Sequence, residues 1–321
     1  TAGTLLFGYV QRAYDLIGTC RTHLLDVVAA ASRLECFVGF VDHMAHLKDS
    51  GSKNQFCYVD FVADDEKPVY QAQGLWSPFF SPDTSVASDI ELGGASPVTT
   101  YVVTGPNNAG KSTVLKAVAI GALLAHTFGI VPAASCRMSI FAIIETYLNI
   151  SDSVARGQSL FYREVWRAHQ LLIRAESVGL RPVLLIFDEM FNGTTPAEGV
   201  ACAYATTERI AQMPNVLACV ATHFMYLTRL AGKYPSVINK CVRLKLTGYG
   251  AGRKYVRTYA LVDGTANQHV ALDILVEQGM DGRLVEEARR VVADIEKNGL
   301  SDYLVHAGRS VQHSSQDDDG A

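Results

Sequence analysis

From Ala2 to about Leu47, apolar residues recur close to the 3.6-residue period, with Leu24, Leu25, Val28, Leu34, Phe37, Val38 and Val41 on one stripe. This spacing predicts a helical lead-in. The polar run Asp49-Ser50-Gly51-Ser52-Lys53-Asn54 breaks the pattern, and Phe56 to Val62 then alternates as a strand does. The next stretch carries Pro68, Pro78, Pro82 and Pro97 and predicts loop. Beyond Thr99 short apolar blocks alternate with helical patterns, the rhythm of a mixed, mainly parallel α/β sheet flanked by helices. Strands are expected at Thr100–Thr104, Ser139–Ile144, Val183–Asp188, Val216–Thr222 and Lys240–Thr247, with Tyr255–Val262 as an antiparallel partner; helices are expected at Val114–Leu124 and Leu160–Ala175. After Gly264, Val270–Glu277 and Arg283–Glu296 read as two helices joined by Gly279-Met280-Asp281-Gly282. The second has one apolar face made by Leu284, Val285, Ala288, Val291, Val292 and Ile295. The Ser-, Gln- and Asp-rich tail from Ala307 is expected to be disordered. The chain therefore divides into a helical segment (1–50), an α/β domain (51–264), a helix pair (265–300) and a tail (301–321).

Composition narrows the class without fixing the chemistry. The 321 residues are 49% hydrophobic, enough for a sizeable core, and the 28 basic and 32 acidic residues give a formal charge of −4. No global basic field of the kind that drives nucleic-acid binding follows from that balance. Arg243, Lys245, Arg253, Lys254 and Arg257 gather on two predicted strands and read as a solvated face. The seven cysteines form no C-x-x-C pair, which points to reduced thiols in a cytoplasmic protein. The longest apolar stretch, Ala117 to Val131, contains His126 and Gly129 and is too short to span a bilayer, so no membrane association is expected. The first residue is Thr1 and not methionine, which is expected of a piece of a longer protein.

The candidate chemistry sits at the ends of the predicted strands. Gly105-Pro106-Asn107-Asn108-Ala109-Gly110-Lys111-Ser112-Thr113 follows the first parallel strand and opens a helix. Glycine, four residues, then Gly-Lys-Ser is the spacing of a loop whose backbone N–H groups fold around phosphate oxygens, and it predicts a nucleoside triphosphate site. Lys111 is expected to reach the β- and γ-phosphates and Ser112 to ligate magnesium. Farther on, the apolar strand Val183 to Phe187 ends in Asp188-Glu189, the Walker B arrangement. There Asp188 is expected to hold the magnesium shell and Glu189 to polarise an attacking water, as in-line phosphoryl transfer requires. His223, after the strand Val216–Val220, is placed to touch the γ-phosphate or that water. Ser159 precedes the helix from Leu160 and is either its N-cap or part of an anion-binding helix terminus.

Taken in order, these elements resemble the ATPase domain of the MutS family of DNA mismatch repair proteins, over roughly residues 20 to 300. Thr104-Gly105-Pro106-Asn107 with Gly110-Lys111-Ser112-Thr113 is similar to the family's T-G-P-N-M-G-G-K-S-T, with Asn108-Ala109 in place of Met-Gly. Gly157-Gln158-Ser159-Leu160-Phe161 is similar to G-R-S-T-F, and Glu164 matches an acid that follows it. Asp188-Glu189 with Gly193-Thr194-Thr195 and Glu198-Gly199 resembles D-E-I-G-R-G-T-S-T-x-D-G, and Ala221-Thr222-His223-Phe224 with Leu227 resembles A-T-H-Y-x-x-L. Leu261-Val262-Asp263-Gly264 resembles the family's V-x-D-G. Departures are Gln158 and Asn192 at arginine positions and Pro196 after the Walker B loop.

The resemblance implies an ABC-type P-loop NTPase fold with a C-terminal helix-turn-helix that dimerises. It implies ATP with Mg2+ as ligands, hydrolysis in a composite site to which Ser159 of a second subunit contributes, and Asn107 as a sensor of nucleotide state. Partners implied are a second copy or a MutS-type heterodimer through the ATPase face, and DNA through parts of a parent protein outside this chain. The setting implied is nucleoid-associated in a prokaryote or nuclear in a eukaryote. The family's mismatch probe is Phe-x-Glu, and the only such triplet here, Phe187-Asp188-Glu189, lies inside the Walker B strand. Two other readings stand beside this one: a nucleotide-gated dimerisation module without mismatch recognition, and the ATPase subunit of a transporter.

Overall fold

The computed structural model describes residues 2–62, 67–106, 109–148, 159–247, 254–266, 272, 275–276 and 279–298. Its centre is a six-stranded sheet. β4 (Thr100–Thr104), β7 (Ile143–Tyr147), β8 (Val183–Asp188), β9 (Val216–Ala221), β10 (Val237–Thr247) and β11 (Lys254–Asp263) lie in the order β11-β10-β4-β9-β8-β7. All neighbours run parallel except β10 and β11, whose antiparallel ladder shifts register between Val242 and Leu244. β4 and β9 are buried at every position, as strands of a parallel sheet covered on both faces must be.

Alternation along these strands sorts side chains between two layers. Leu184 and Ile186 of β8 pack on the side of α2 (Lys111–Phe128) with Leu115, Val118 and Ala122. Val183, Leu185 and Phe187 point the other way, with Leu171 of α3 (Leu160–Ser177) and Ile210 of α4 (Pro196–Ala211). A 3-10 turn (Met225–Arg229) and the short α5 (Leu230–Lys233) connect β9 to β10. This layering brings the carboxyl ends of β4, β8 and β9 together at one edge of the core.

A second, five-stranded sheet covers the outer side of α2. It comprises β1 (Cys57–Val62), β2 (Val69–Leu75), β3 (Ser88–Gly93), β5 (Ile130–Val131) and β6 (Ser135–Ser139) in the order β3-β2-β6-β1-β5. Two expectations fail here. The proline-bearing stretch contains the β2–β3 hairpin, paired from Val69↔Gly93 to Leu75↔Ser88, because Pro68 and Pro97 sit outside the strands and Pro78 and Pro82 lie in the connection between them. The single strand expected at Ser139–Ile144 is two strands in different sheets: Ser139 ends β6 and Ile143 begins β7. Between them the Phe141 N–H donates to His126 Nε2 at 2.8 Å and the Ala142 N–H to the Pro182 carbonyl at 2.8 Å, so these two groups stay paired where the backbone changes sheets. His126 Nδ1 in turn lies 2.8 Å from the Ala122 carbonyl, which fixes Nδ1 as the protonated nitrogen.

The lead-in is one helix, α1 (Ala2–Asp49), 48 residues long. Its base is anchored: Leu47 is buried, Phe40 packs on Phe128 and Phe56, and Phe37 meets Phe128 edge-on. The rest of its predicted apolar stripe, Leu24, Leu25, Val28, Leu34, Val38 and Val41, is exposed. At the other terminus α6 (Gly282–Asn298) forms as expected, starting where Asp281 Oδ1 accepts from the Arg283 N–H at 2.8 Å. The expected helix Val270–Glu277 falls largely outside the described residues, and the tail lies wholly outside them. Among the described residues no helix is long and apolar enough to cross a membrane.

Candidate functional site

The turn after β4 is shaped by two close approaches. A Cβ on Gly105 would come within 2.5 Å of the Val242 carbonyl of β10, and one on Gly110, at φ 112°, within 2.6 Å of Tyr259 Cδ1. Both positions need glycine for lack of room, and Gly110 also for its left-handed backbone. Ala109 is fully buried beneath the turn. α2 then starts at Lys111 with no side-chain cap, so its first-turn N–H groups are available to an anion. Asn107 and Asn108 lie outside the described residues.

Lys111 is 4% exposed, and its ammonium meets carbonyl and carboxylate oxygens. It donates to the carbonyls of Gly105 at 2.8 Å and Pro106 at 3.3 Å and lies 3.4 Å from Glu189 Oε1. Asp188, at the end of β8, is hydrogen-bonded by Ser112, while its Oδ1 is buried with no partner. Burial pushes the Asp188 carboxyl above the usual carboxylate range; the Ser112 bond opposes this, the neighbouring Glu189 adds to it and Lys111 opposes it. Glu189 has a left-handed backbone, φ 52°, stabilised by its N–H bond to the Ala221 carbonyl of β9 at 2.9 Å. That turn swings the side chain out of the strand direction and toward Lys111.

Gly110, Lys111, Ser112, Thr113, Asp188 and Glu189 line a single cavity of about 980 Å³. Among the described residues, Gly105, Pro106 and Ala109 of the turn, and also His223 and Ser159, stand apart from its lining. His223 follows β9 at the surface, its ring 4.2 Å from that of Phe224, yet it is near enough to feel the Glu189 and Lys111 charges. Desolvation holds the imidazole below its ordinary value, against the pull of Glu189 and with the push of Lys111, so it is neutral at pH 7. The Ser159 hydroxyl accepts from the Tyr162 N–H at 3.3 Å and caps α3, the plainer of its two readings.

The cavity also takes in Leu75, Phe80, Ile90, Tyr147 and Tyr259, which the sequence pattern did not single out, beside Leu160, Glu164 and Asn192, which only the family resemblance marks. Leu75, Phe80, Ile90 and Tyr259 supply apolar and aromatic wall. Tyr259 adopts φ 54°, a conformation no alternation rule reveals. Glu164 is 3% exposed, and its oxygens accept from the backbone N–H groups of Asn192 and Gly193 at 3.0 Å each. The resemblance marks Glu164 as a matching acid but does not show that the Asn192–Gly193 backbone covers it.

The donor set suits a hard divalent cation. A hydroxyl and a carboxylate lie side by side, with one carboxylate oxygen buried and unpartnered, and oxygen donors of this kind fit such a cation.

A mainly parallel sheet, a glycine-bounded turn into a helix and paired acids at a neighbouring strand end define an α/β domain of the P-loop type. A family model described as MutS domain V matches residues 101–296. The chain belongs to the MutS family. It is 33% identical over 220 residues to a DNA mismatch repair protein MutS of Myxococcus xanthus, covering 68% of this chain and 24% of that protein. Proteins of the same name from Desulfovibrio desulfuricans and Lachnoclostridium phytofermentans are each 27% identical, over 287 and 296 residues, or 88% and 91% of this chain. The chain spans between about a quarter and a third of the length of these relatives.

Proposed function

We propose that this chain is the ATPase portion of a MutS-type protein, binding ATP with Mg2+ at the cavity and hydrolysing it in a site completed by a second subunit. The observation that carries this reading is the meeting of Lys111, Asp188 and Glu189 in one cavity, with a lysine ammonium 3.4 Å from a carboxylate and an adjoining buried carboxylate oxygen left unpartnered. Gly105 to Thr113 would cradle the phosphates, and the aromatic wall of Phe80 and Tyr259 is of a kind that stacks on a base. Ser112 and Asp188 would hold the cation, which when bound neutralises charge on the leaving phosphate oxygens.

The residues divide the chemistry between them. Among the described residues, the Lys111 ammonium donates to two carbonyls and lies 3.4 Å from a Glu189 oxygen. A phosphate oxygen reaching Lys111 competes with Glu189 for it, and the carboxylate released is then available to orient and deprotonate water. His223, neutral and near the same two charges, is suited to donate one hydrogen bond to a phosphate oxygen or to that water. Ser159 of a second subunit would close the site from outside, with α6 contributing to the pairing and the nucleotide state being passed to DNA-binding parts elsewhere in the parent protein.

The test is ATP turnover by wild type, Lys111→Ala and Glu189→Ala. Both variants are expected to lose at least about a hundredfold in kcat, and the glutamate variant to keep nucleotide and dimerise, because the binding groups remain. Undiminished hydrolysis in both would sink the assignment.

A further inference from the structure

The segment Glu189 to Gly193 leaves β8 through two left-handed residues, Glu189 at φ 52° and Phe191 at φ 60°. Side chains rarely adopt such backbone unless their surroundings impose it. The surroundings here are explicit. The Phe191 ring lies 6.4 Å from both Tyr147 and Phe161, and a Cβ on Gly199 of α4 would come within 2.5 Å of the Phe191 carbonyl. Gly193 presses against the first turn of α3, where a Cβ would meet the Phe161 nitrogen at 2.8 Å, Leu160 Cγ at 2.9 Å and Glu164 Oε2 at 3.0 Å. The buried Glu164 carboxylate sits in this wedge of contacts, one oxygen on each of two consecutive N–H groups.

We infer that Glu164 is a positioning residue: by clamping Asn192 and Gly193 it fixes the Glu189 loop to the first turn of α3, so that the base of one site and the helix terminus bearing Ser159 move together. The inference rests on the ATPase reading above. Charge-assisted bonds to backbone N–H are about twice as strong as neutral ones, and a misplacement of about 1 Å at a catalytic group costs on the order of a hundredfold. A clamp three residues from Glu189 is close enough to exact that cost. The Tyr147 phenol beside it reports the same electrostatics, since burial and then the Glu164 carboxylate push it well above its usual range. If Ser159 serves a neighbouring subunit, the clamp also links the two sites of a dimer.

The experiment compares wild type, Glu164→Gln and Lys111→Ala in the full chain by thermal unfolding, nucleotide binding, ATP turnover and amide exchange. Glutamine keeps the shape but offers one acceptor where two N–H groups point, so the variant is expected to fold. It should bind ATP within about threefold of wild type, lose at least about tenfold in kcat, and exchange the Asn192 and Gly193 amides faster. A kcat within twofold of an active wild type overturns the inference, as does a loss carried wholly by affinity, or protection of those two amides unchanged. If wild type and Lys111→Ala turn over ATP equally, the ATPase reading has failed instead, and the amide exchange still decides whether the clamp exists.

Discussion

Leucine is treated in opposite ways by two regions of this molecule. Leu184 of β8 is 0% exposed, between α2 and the sheet, whereas Leu24 of α1 is 63% exposed on a helix with an equally apolar stripe. The sheet buries its apolar residues completely and then also buries a lysine and part of an aspartate at its carboxyl end. Among the described residues, α1 is anchored near Phe37, Phe40 and Leu47 and leaves Leu24, Leu25, Val28, Leu34, Val38 and Val41 exposed. Both depart from the rule that apolar goes in and charge goes out. The difference teaches that the sheet's departure is local and geometric, a few polar atoms aimed into one cavity, while that of α1 is distributed along its length.

Three measurements bear on this contrast, beginning with the largest effect. Leu184→Ala should cost about 2–5 kcal/mol and lower Tm by roughly 5–15 °C, because the surrounding strands cannot collapse into the space; a loss no larger than that of an exposed substitution would erase the comparison. Asp188→Asn should act in the other direction at neutral pH. Since burial raises the folded carboxyl above its ordinary value of 3.8, the folded state binds the proton more tightly than the unfolded chain, and stability is lost as pH rises from near that value through the folded one. Asparagine has no charge to bury, so Tm at pH 7 should rise, with a smaller gain at pH 4 and with hydrolysis abolished. A fall in Tm at pH 7 would show that Asp188 is stabilising as an anion. Leu24→Gln should move stability by no more than about 0.5 kcal/mol in thermal or urea unfolding; a large drop would mean that the α1 stripe is covered.

How far each region was legible follows from the range of the forces involved. β4 and β8 matched their expected spans residue for residue and β9 ended one residue early, because continuous apolar runs bounded by polar residues leave a buried strand little freedom. The antiparallel β11 was also anticipated. The β2–β3 hairpin was not, since Pro68, Pro78, Pro82 and Pro97 dominate the local signal although none of them occupies a ladder position. The boundary between β6 and β7 was invisible for the converse reason: its break is stabilised by His126, a contact 15 residues away along the chain. At the site, local motifs named Lys111, Ser112, Asp188 and Glu189, which share the cavity. Tyr259 and the clamping role of Glu164 depend on contacts across the fold and on positive φ values, neither of which has a sequence period.

The length of α1 has a mechanical consequence. At 1.5 Å per residue its 48 residues make a rod of about 72 Å, fixed near one end by the Phe40 and Leu47 contacts. A tilt of about 5° at that anchorage carries the opposite end through about 6 Å. The anchorage rests on Phe128, the last residue of the helix that begins at Lys111. A small rotation at that end of α2 would thus become a displacement the size of a side chain at the far end of the rod, trading angle for distance.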